Sequence, residues 1–178
     1  MRFCRRWLGI IFALVSAGCV GRVSEKSSPV LLQSIDAAGL KREIARFRGR
    51  VVLVDFWATW CGPCVELFPH TMELYRRYGD RGLAVITVSL DGPDNASSVR
   101  RFLAEQGRAT RHFLASYDVG AEAFTAFEID GGALPCLRLY DQHGKLRKTF
   151  SAAAASGVEV EAIEHAIEEL LGVAPAAD

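Results

Sequence analysis

The sequence predicts an α/β fold, a mixed central sheet with helices packed on both faces. Three observations lead there. Val51 to Phe56 (VVLVDF) and Leu83 to Leu90 are apolar runs rich in β-branched residues, the pattern of strands covered on both sides. Neighbouring stretches repeat apolar residues every three to five positions, as one face of a helix does. Near the end, Cys136 to Tyr140 and Leu146 to Phe150 flank Asp141-Gln142-His143-Gly144, a hairpin signal. Strands alternating with helices and closed by a hairpin describe such a sandwich.

In chain order, Pro29 to Gln33 is expected as a short edge strand. Ile35 to Phe47 has apolar residues at 35, 40, 44 and 47, a helical face ended by Gly49. After the strand Val51 to Phe56, a helix is expected from Gly62 to Tyr78, closed by Gly79. Leu83 to Leu90 is the second buried strand. Asp94 or Asn95 can cap a helix carrying Val99, Phe102 and Leu103 and ending at Gly107. A short strand at Arg111 to Ala115 and a helix at Val119 to Phe127 precede the hairpin. The last helix sets Val160, Ile163, Ile167, Leu170 and Leu171 on one face, and Gly172 closes it. The alanine run 152–155 reads as a linker or a loose first turn.

The chain has 178 residues, which suits one domain with a leader and tails. Its 21 Lys and Arg balance its 21 Asp and Glu, so no basic stripe is available to neutralise phosphates. That argues against nucleic acid as a partner. The five cysteines are not spaced as a disulfide framework, and a chain of this length needs no such staples.

Arg2, Arg5 and Arg6 precede an apolar stretch from Trp7 to Val15, then Ser16-Ala17-Gly18-Cys19. This is the layout of a secretory signal peptide, too short for a membrane span. Small residues ahead of a cysteine resemble the bacterial lipobox, in which lipid is attached to that cysteine and cleavage falls just before it. Ser16 stands where Leu is usual. An ordinary cleaved signal and an uncleaved anchor are the alternatives. Two or more acyl chains on Cys19 would hold the protein on a membrane, since each buried CH₂ contributes about 0.8 kcal/mol. Val20 rather than Asp after the cysteine resembles the sorting signal for an outer membrane. The expected organisation is a lipoprotein-type signal peptide at 1–18, a polar tether at 19–29, one domain at 30–172 and a tail at 173–178. The expected location is the cell envelope, on the periplasmic or extracytoplasmic side.

Trp60-Cys61-Gly62-Pro63-Cys64 follows a buried strand and opens a helix. Positions three apart on a helix face the same way, so the two sulfurs can meet. At the helix N-terminus, unpaired N–H groups and the helix dipole favour a thiolate, which makes Cys61 the nucleophile. Cys64, one turn in, is shielded and placed to attack a mixed disulfide. Pro63 is tolerated in the first turn. A CxxC can also be half of a zinc site, but no second Cys/His pair with suitable spacing exists, and His70 lies six residues on. It can also be an inert disulfide, yet closing so short a loop stabilises little.

VVLVDFWATWCGPC resembles the active-site strand, turn and helix of the thioredoxin superfamily. Pro69, five residues past Cys64, matches the superfamily's helix proline, and Leu134-Pro135 resembles its cis-proline loop. A secretory leader together with extra chain between Asp91 and Gly132 resembles the TlpA-like (ResA-like) envelope oxidoreductases. The resemblance covers roughly residues 30 to 172. It implies a thioredoxin-like three-layer α/β/α sandwich with a mixed central sheet and a central helix–strand insertion. It also implies disulfide exchange with envelope proteins, in the reductive direction, with no cofactor. An oxidising compartment cannot keep a reductase reduced, so a membrane electron-donor thiol protein is implied as a partner.

The resemblance assigns roles around the pair. Asp55 lies inside the apolar strand, where desolvation raises a carboxyl pKa. It resembles the thioredoxin aspartate that accepts a proton from the inner cysteine through water; the alternative is a strand-end Asp reaching solvent. The lysine that often accompanies that aspartate is replaced here by Thr87. Trp60, Gly62, Pro63, Leu134 and Pro135 are the implied substrate-binding residues. A cis Pro135 leaves the backbone of Leu134 free to pair with substrate as an added strand; the alternative is a trans-proline at a strand start. Trp57 and Trp60 are expected to wall the site, with Phe56 in the core. The glutamate common in TlpA-like proteins three residues after the second cysteine is Leu67 here, with Glu66 beside it.

Cys136 follows the loop proline where the family has a small residue. It reads as a buried small hydrophobe, or else as a third thiol near the pair. The latter frames a rival function, a Cu(I)-binding module built on Cys61, Cys64 and Cys136. A redox-inert tethered binding domain is the other rival. A peroxidase lacks its Thr-x-x-Cys signature, since position 58 is Ala.

Overall fold

The computed structural model describes residues 30–173 apart from 107, 108, 110 and 156. The leader with Cys19, the tether to residue 29 and positions 174–178 lie outside the described residues. In chain order the elements are β1 (Leu32–Ile35), α1 (Ala37–Arg46), β2 (Val51–Trp57), α2 (Gly62–Tyr78), β3 (Leu83–Ser89), α3 (Ala96–Gln106), β4 (Arg111–Ala115), α4 (Ala121–Ala126), β5 (Cys136–Tyr140), β6 (Leu146–Ser151) and α5 (Val160–Leu171).

β2 shows how this sequence builds a three-layer fold. All seven of its residues are buried. Successive strand side chains point to opposite faces, so a strand buried throughout needs cover on both. Val51, Leu53 and Trp57 enter one core with Phe68 of α2, Leu103 of α3 and Ile163 of α5. Val52, Val54 and Phe56 enter a second core with Leu40 and Ile44 of α1 and Ala123 of α4. β3 repeats the division, with Leu83 and Val85 on the first face and Ala84, Ile86 and Val88 on the second. Each such side chain contributes about 1.5–3 kcal/mol on full burial.

The strands lie in the order β1-β4-β3-β2-β5-β6. β1, β4, β3 and β2 pair in parallel, and β5 and β6 add an antiparallel hairpin beside β2. The sheet is therefore mixed, as expected. The α3–β4 insertion is present, and it places β4 between β1 and β3.

Boundaries differ from the sequence reading by two or more residues at three elements. The edge strand lies two to three residues later than expected, at Leu32–Ile35. α1 begins at Ala37 rather than Ile35, because Asp36 caps it with Oδ1 accepting from the Gly39 N–H at 2.6 Å. Ile35 packs with Leu40 and Ile44, so it fits the helical spacing while its backbone is extended. α4 is shorter than expected, since Gly120 at φ +125° holds a conformation outside the helix. α5 ends as expected at Gly172, in the left-handed conformation that glycine adopts without strain. The alanine run forms a turn after β6, and the Ala152 N–H donates to the Pro135 carbonyl at 3.1 Å.

Candidate active site

The turn between β2 and α2 is held from β3. Asp91, just past the end of β3, is 1% exposed. Its carboxylate accepts from the Thr59 N–H at 2.9 Å, from the Thr59 hydroxyl, and from Ser89 Oγ at 2.6 Å. The Leu90 N–H donates to the Trp57 carbonyl at 2.8 Å, which continues the pairing up to the turn. Three donors on one buried carboxylate fix the backbone that delivers Trp60 and Cys61.

Cys61 caps α2, and its Sγ accepts from the Cys64 N–H at 3.3 Å. The two cysteines form a disulfide with S–S 2.06 Å and Cα–Cα 5.2 Å. Cys61 is 7% exposed and Cys64 2%, so both are buried and the residue at the head of the helix is the less buried of the two. The N–H that meets Cys61 Sγ is a donor that favours a thiolate once the bond is reduced. Gly62 and Pro63 form the exposed first turn, and a Cβ at Gly62 would meet nothing within 4 Å. Pro69 lies inside α2 without dividing it.

The Leu134–Pro135 peptide is cis. Pro135 and Pro63 line one groove of about 370 Å³, with Glu66, Leu67, His70 and Val158 around it. Trp60, directly before Cys61, is 52% exposed. Trp57 is fully buried, its ring 4.7 Å from Phe68 and 4.8 Å from Phe102, so of the two tryptophans only Trp60 reaches the surface.

Asp55 points to the same sheet face as Leu53 and Trp57, by strand alternation. It is 2% exposed, and burial raises its pKa to about 7 against the pull of a hydrogen bond from Thr71. Thr71 Oγ1 donates to Asp55 Oδ2 at 2.8 Å. Thr71 follows Cys64 by seven residues, which puts both on one face of α2, about 10 Å apart along the axis. Asp55 therefore sits in the interior, tied to α2, rather than reaching solvent.

Cys136 is on the other side of the sheet. It pairs in register with Phe56 and packs in the same core, whereas Cys61 and Cys64 belong to the opposite core. The three thiols do not converge, and the copper reading loses its ligand set. Burial raises the pKa of the Cys136 thiol, as expected of a small buried hydrophobe.

A strand, a capped CxxC helix and a cis-proline loop stand together at this end of the sheet. The model of the AhpC/TSA family matches residues 27–149. The chain belongs to the AhpC/TSA family. Among AhpC/TSA-like relatives, the thiol-disulfide oxidoreductase ResA of Bacillus thuringiensis (strain Al Hakam) is 32% identical over 111 residues, 62% of this chain. The chain spans 60% of that relative's length. ResA of Halalkalibacterium halodurans is 26% identical over 145 residues, covering 82% of this chain and 77% of that protein. A Chlorobium tepidum crystal structure, provisionally assigned as a thiol:disulfide interchange protein DsbE, superposes with a TM-score of 0.58 at 29% identity. It covers 72% of this chain and 85% of its own. The fold is thioredoxin-like.

Sequence reasoning missed Thr71 and Asp91. Thr71 carries no motif, and only the packing of α2 on β2 shows it as the partner of Asp55. Asp91 left a faint signal, an acid directly after a buried strand, but two of its three donors come from Thr59, which the sequence does not link to it.

Proposed function

We propose that the protein is a thiol–disulfide oxidoreductase that reduces disulfides of envelope proteins. The observation that supports this best is the Cys61–Cys64 disulfide at the head of α2, with Pro63 between the two cysteines lining a groove that Pro135 also lines. In the reduced enzyme the Cys61 thiolate attacks a substrate disulfide, forms a mixed disulfide and expels one substrate thiolate. Cys64 then attacks Cys61 Sγ, which restores the disulfide and releases the second thiolate. Two electrons pass to the substrate.

Asp55 accepts the proton that Cys64 must lose, through water. A carboxyl with a pKa near 7 is matched to that task at neutral pH. Leu134 and Pro135 present backbone to an extended substrate segment, and Trp60, Gly62 and Pro63 form the rim it crosses. The protein is held at the extracytoplasmic side of a membrane by lipid on Cys19, and a membrane thiol protein returns electrons to the pair. Among the described residues no helix is long and apolar enough to cross a membrane.

Insulin reduction by the full chain tests the activity. Cys61→Ser should abolish it, and Cys64→Ser should accumulate mixed disulfides with substrate; activity surviving Cys61→Ser refutes the mechanism. The reduction potential gives the direction: about −270 mV supports a reductase and about −120 mV an oxidase.

A further inference from the structure

One oxygen of Asp55 has no assigned partner: Oδ1 is buried and without a hydrogen bond among the described residues. Strand register identifies its neighbour. Asp55 of β2 lies opposite Thr87 of β3, and Thr87 lies opposite His112 of β4. Register partners on adjacent strands share a face about 4.8 Å apart. The three polar side chains thus form a row across the sheet under the first core, 2%, 0% and 8% exposed.

The bonds along the row have a direction. Thr87 Oγ1 and His112 Nδ1 are 2.8 Å apart, and the Ala109 N–H donates to His112 Nε2 at 3.4 Å. In a neutral imidazole the nitrogen that accepts carries no proton. Nδ1 therefore carries it and donates to Thr87 Oγ1. A hydroxyl that accepts one bond still has its own hydrogen to give, and the next group in the row is Asp55. Burial holds the His112 pKa down to about 4, so the ring is uncharged at neutral pH.

We propose that Thr87 and His112 are positioning residues for the exchange reaction: His112 Nδ1–H donates to Thr87 Oγ1, and when Asp55 ionises the Thr87 O–H turns to donate to Oδ1, a bond not formed in the structure. Thr71 already holds Oδ2, so both oxygens of the carboxylate are then bonded. The row is neutral and points its donors one way, so it stabilises the base form of Asp55 without a buried cation. Of the other titratable groups, Cys61 and Cys64 of α2 belong to the core on the Asp55 side of the sheet, and Cys136 of β5 lies across the sheet, its thiol sensing the Asp55 charge. This role rests on the reading of Asp55 as the proton acceptor.

The test is the carboxyl titration of Asp55 by ¹³C NMR in the full chain, assigned by loss of its signal in Asp55→Asn, beside the pH profile of insulin reduction. Thr87→Val should raise the Asp55 pKa by about one unit, a tenfold loss of the base form below that pKa. Thr87→Ser should restore it. His112→Phe should raise it by less, and the double variant should match Thr87→Val alone, because His112 acts through the hydroxyl. Thr87→Ala is read in the same way should Thr87→Val fail to fold. An Asp55 pKa unchanged in folded Thr87→Val or Thr87→Ala, or a double variant that sums the single shifts, overturns the proposal. The titration needs no activity, so an inactive wild-type chain would refute the proposed function while the hydrogen-bonded row is still decided.

Discussion

The Thr71 hydroxyl donates to Asp55 Oδ2 at 2.8 Å, tying the helix that carries the cysteines to the centre of the sheet. Hydrogen bonds to a charged group contribute about 1.5–3 kcal/mol, so this bond opposes burial in setting the Asp55 pKa. Thr71→Val keeps the shape and removes the donor. The Asp55 carboxyl should then titrate about one unit higher, and the rising limb of exchange activity should move with it. NMR titration of the carboxyl checks the first and a pH–rate profile the second.

Burial at Asp55 also has a cost in stability whose sign is fixed. Its folded pKa of about 7 exceeds the ordinary 3.8. Between those values the native state holds more protons than the unfolded chain, so stability falls as pH rises through the window and levels off above it. At about 1.4 kcal/mol per unit, the ionised form destabilises the fold by about 4 kcal/mol near pH 8. Asp55→Asn should be more stable than wild type at that pH, by a margin that grows from pH 4 to 7. Urea unfolding of both chains across pH 4 to 8 reads the difference, and a margin that does not change with pH would contradict a buried acid.

His112 acts in the opposite sense. Its folded pKa of about 4 lies below the ordinary 6.5, so the unfolded chain binds the proton first. Stability is lost as pH falls from about 6.5 to 4 and is fully present above 6.5. His112→Gln should remove this contribution and leave the opposite slope due to Asp55 unopposed between about pH 4 and 6.5. The same unfolding series separates the two.

Asp91 organises the turn before Cys61 without touching substrate. Truncation to Ala leaves the Thr59 N–H and two hydroxyls without their acceptor, a loss of about 2–4 kcal/mol. The Tm should fall by roughly 5–10 °C. Exchange should slow as well, because the backbone that delivers Cys61 loses its hold. Thermal unfolding and the insulin assay test the pair of effects, and a wild-type Tm would rule out the clamp.

Cys136 should behave as core. In the reduced native protein, alkylation mapped by mass spectrometry should modify Cys61 first and reach Cys136 only on unfolding. Cu(I) titration of Cys136→Ser should match wild type, since the sheet separates this thiol from the pair. A copper site lost in that variant would restore the metal reading.

Much of this molecule is legible from residue order because its signals are local. Seven consecutive buried residues in β2 require cover on two faces, and that dictates a sandwich before any contact is known. The two cysteines three apart at a helix start carry their chemistry in their spacing. Helix starts were less legible: Ile35 satisfies the apolar period of α1 from an extended backbone, and only the Asp36 cap marks the boundary.

What the tertiary structure decided is everything that depends on which strands lie side by side. Residue order placed Cys136 beside Pro135 and so near the pair, but strand alternation turns its side chain to the far core. Residue order showed a threonine where a charged partner of Asp55 was expected. The insertion of β4 next to β3 brings His112, 25 residues further along, into register with that threonine. Hydrogen bonds across a sheet join residues by register rather than by distance along the chain. The strand and its CxxC could therefore be read in advance, and the polar row behind them could not.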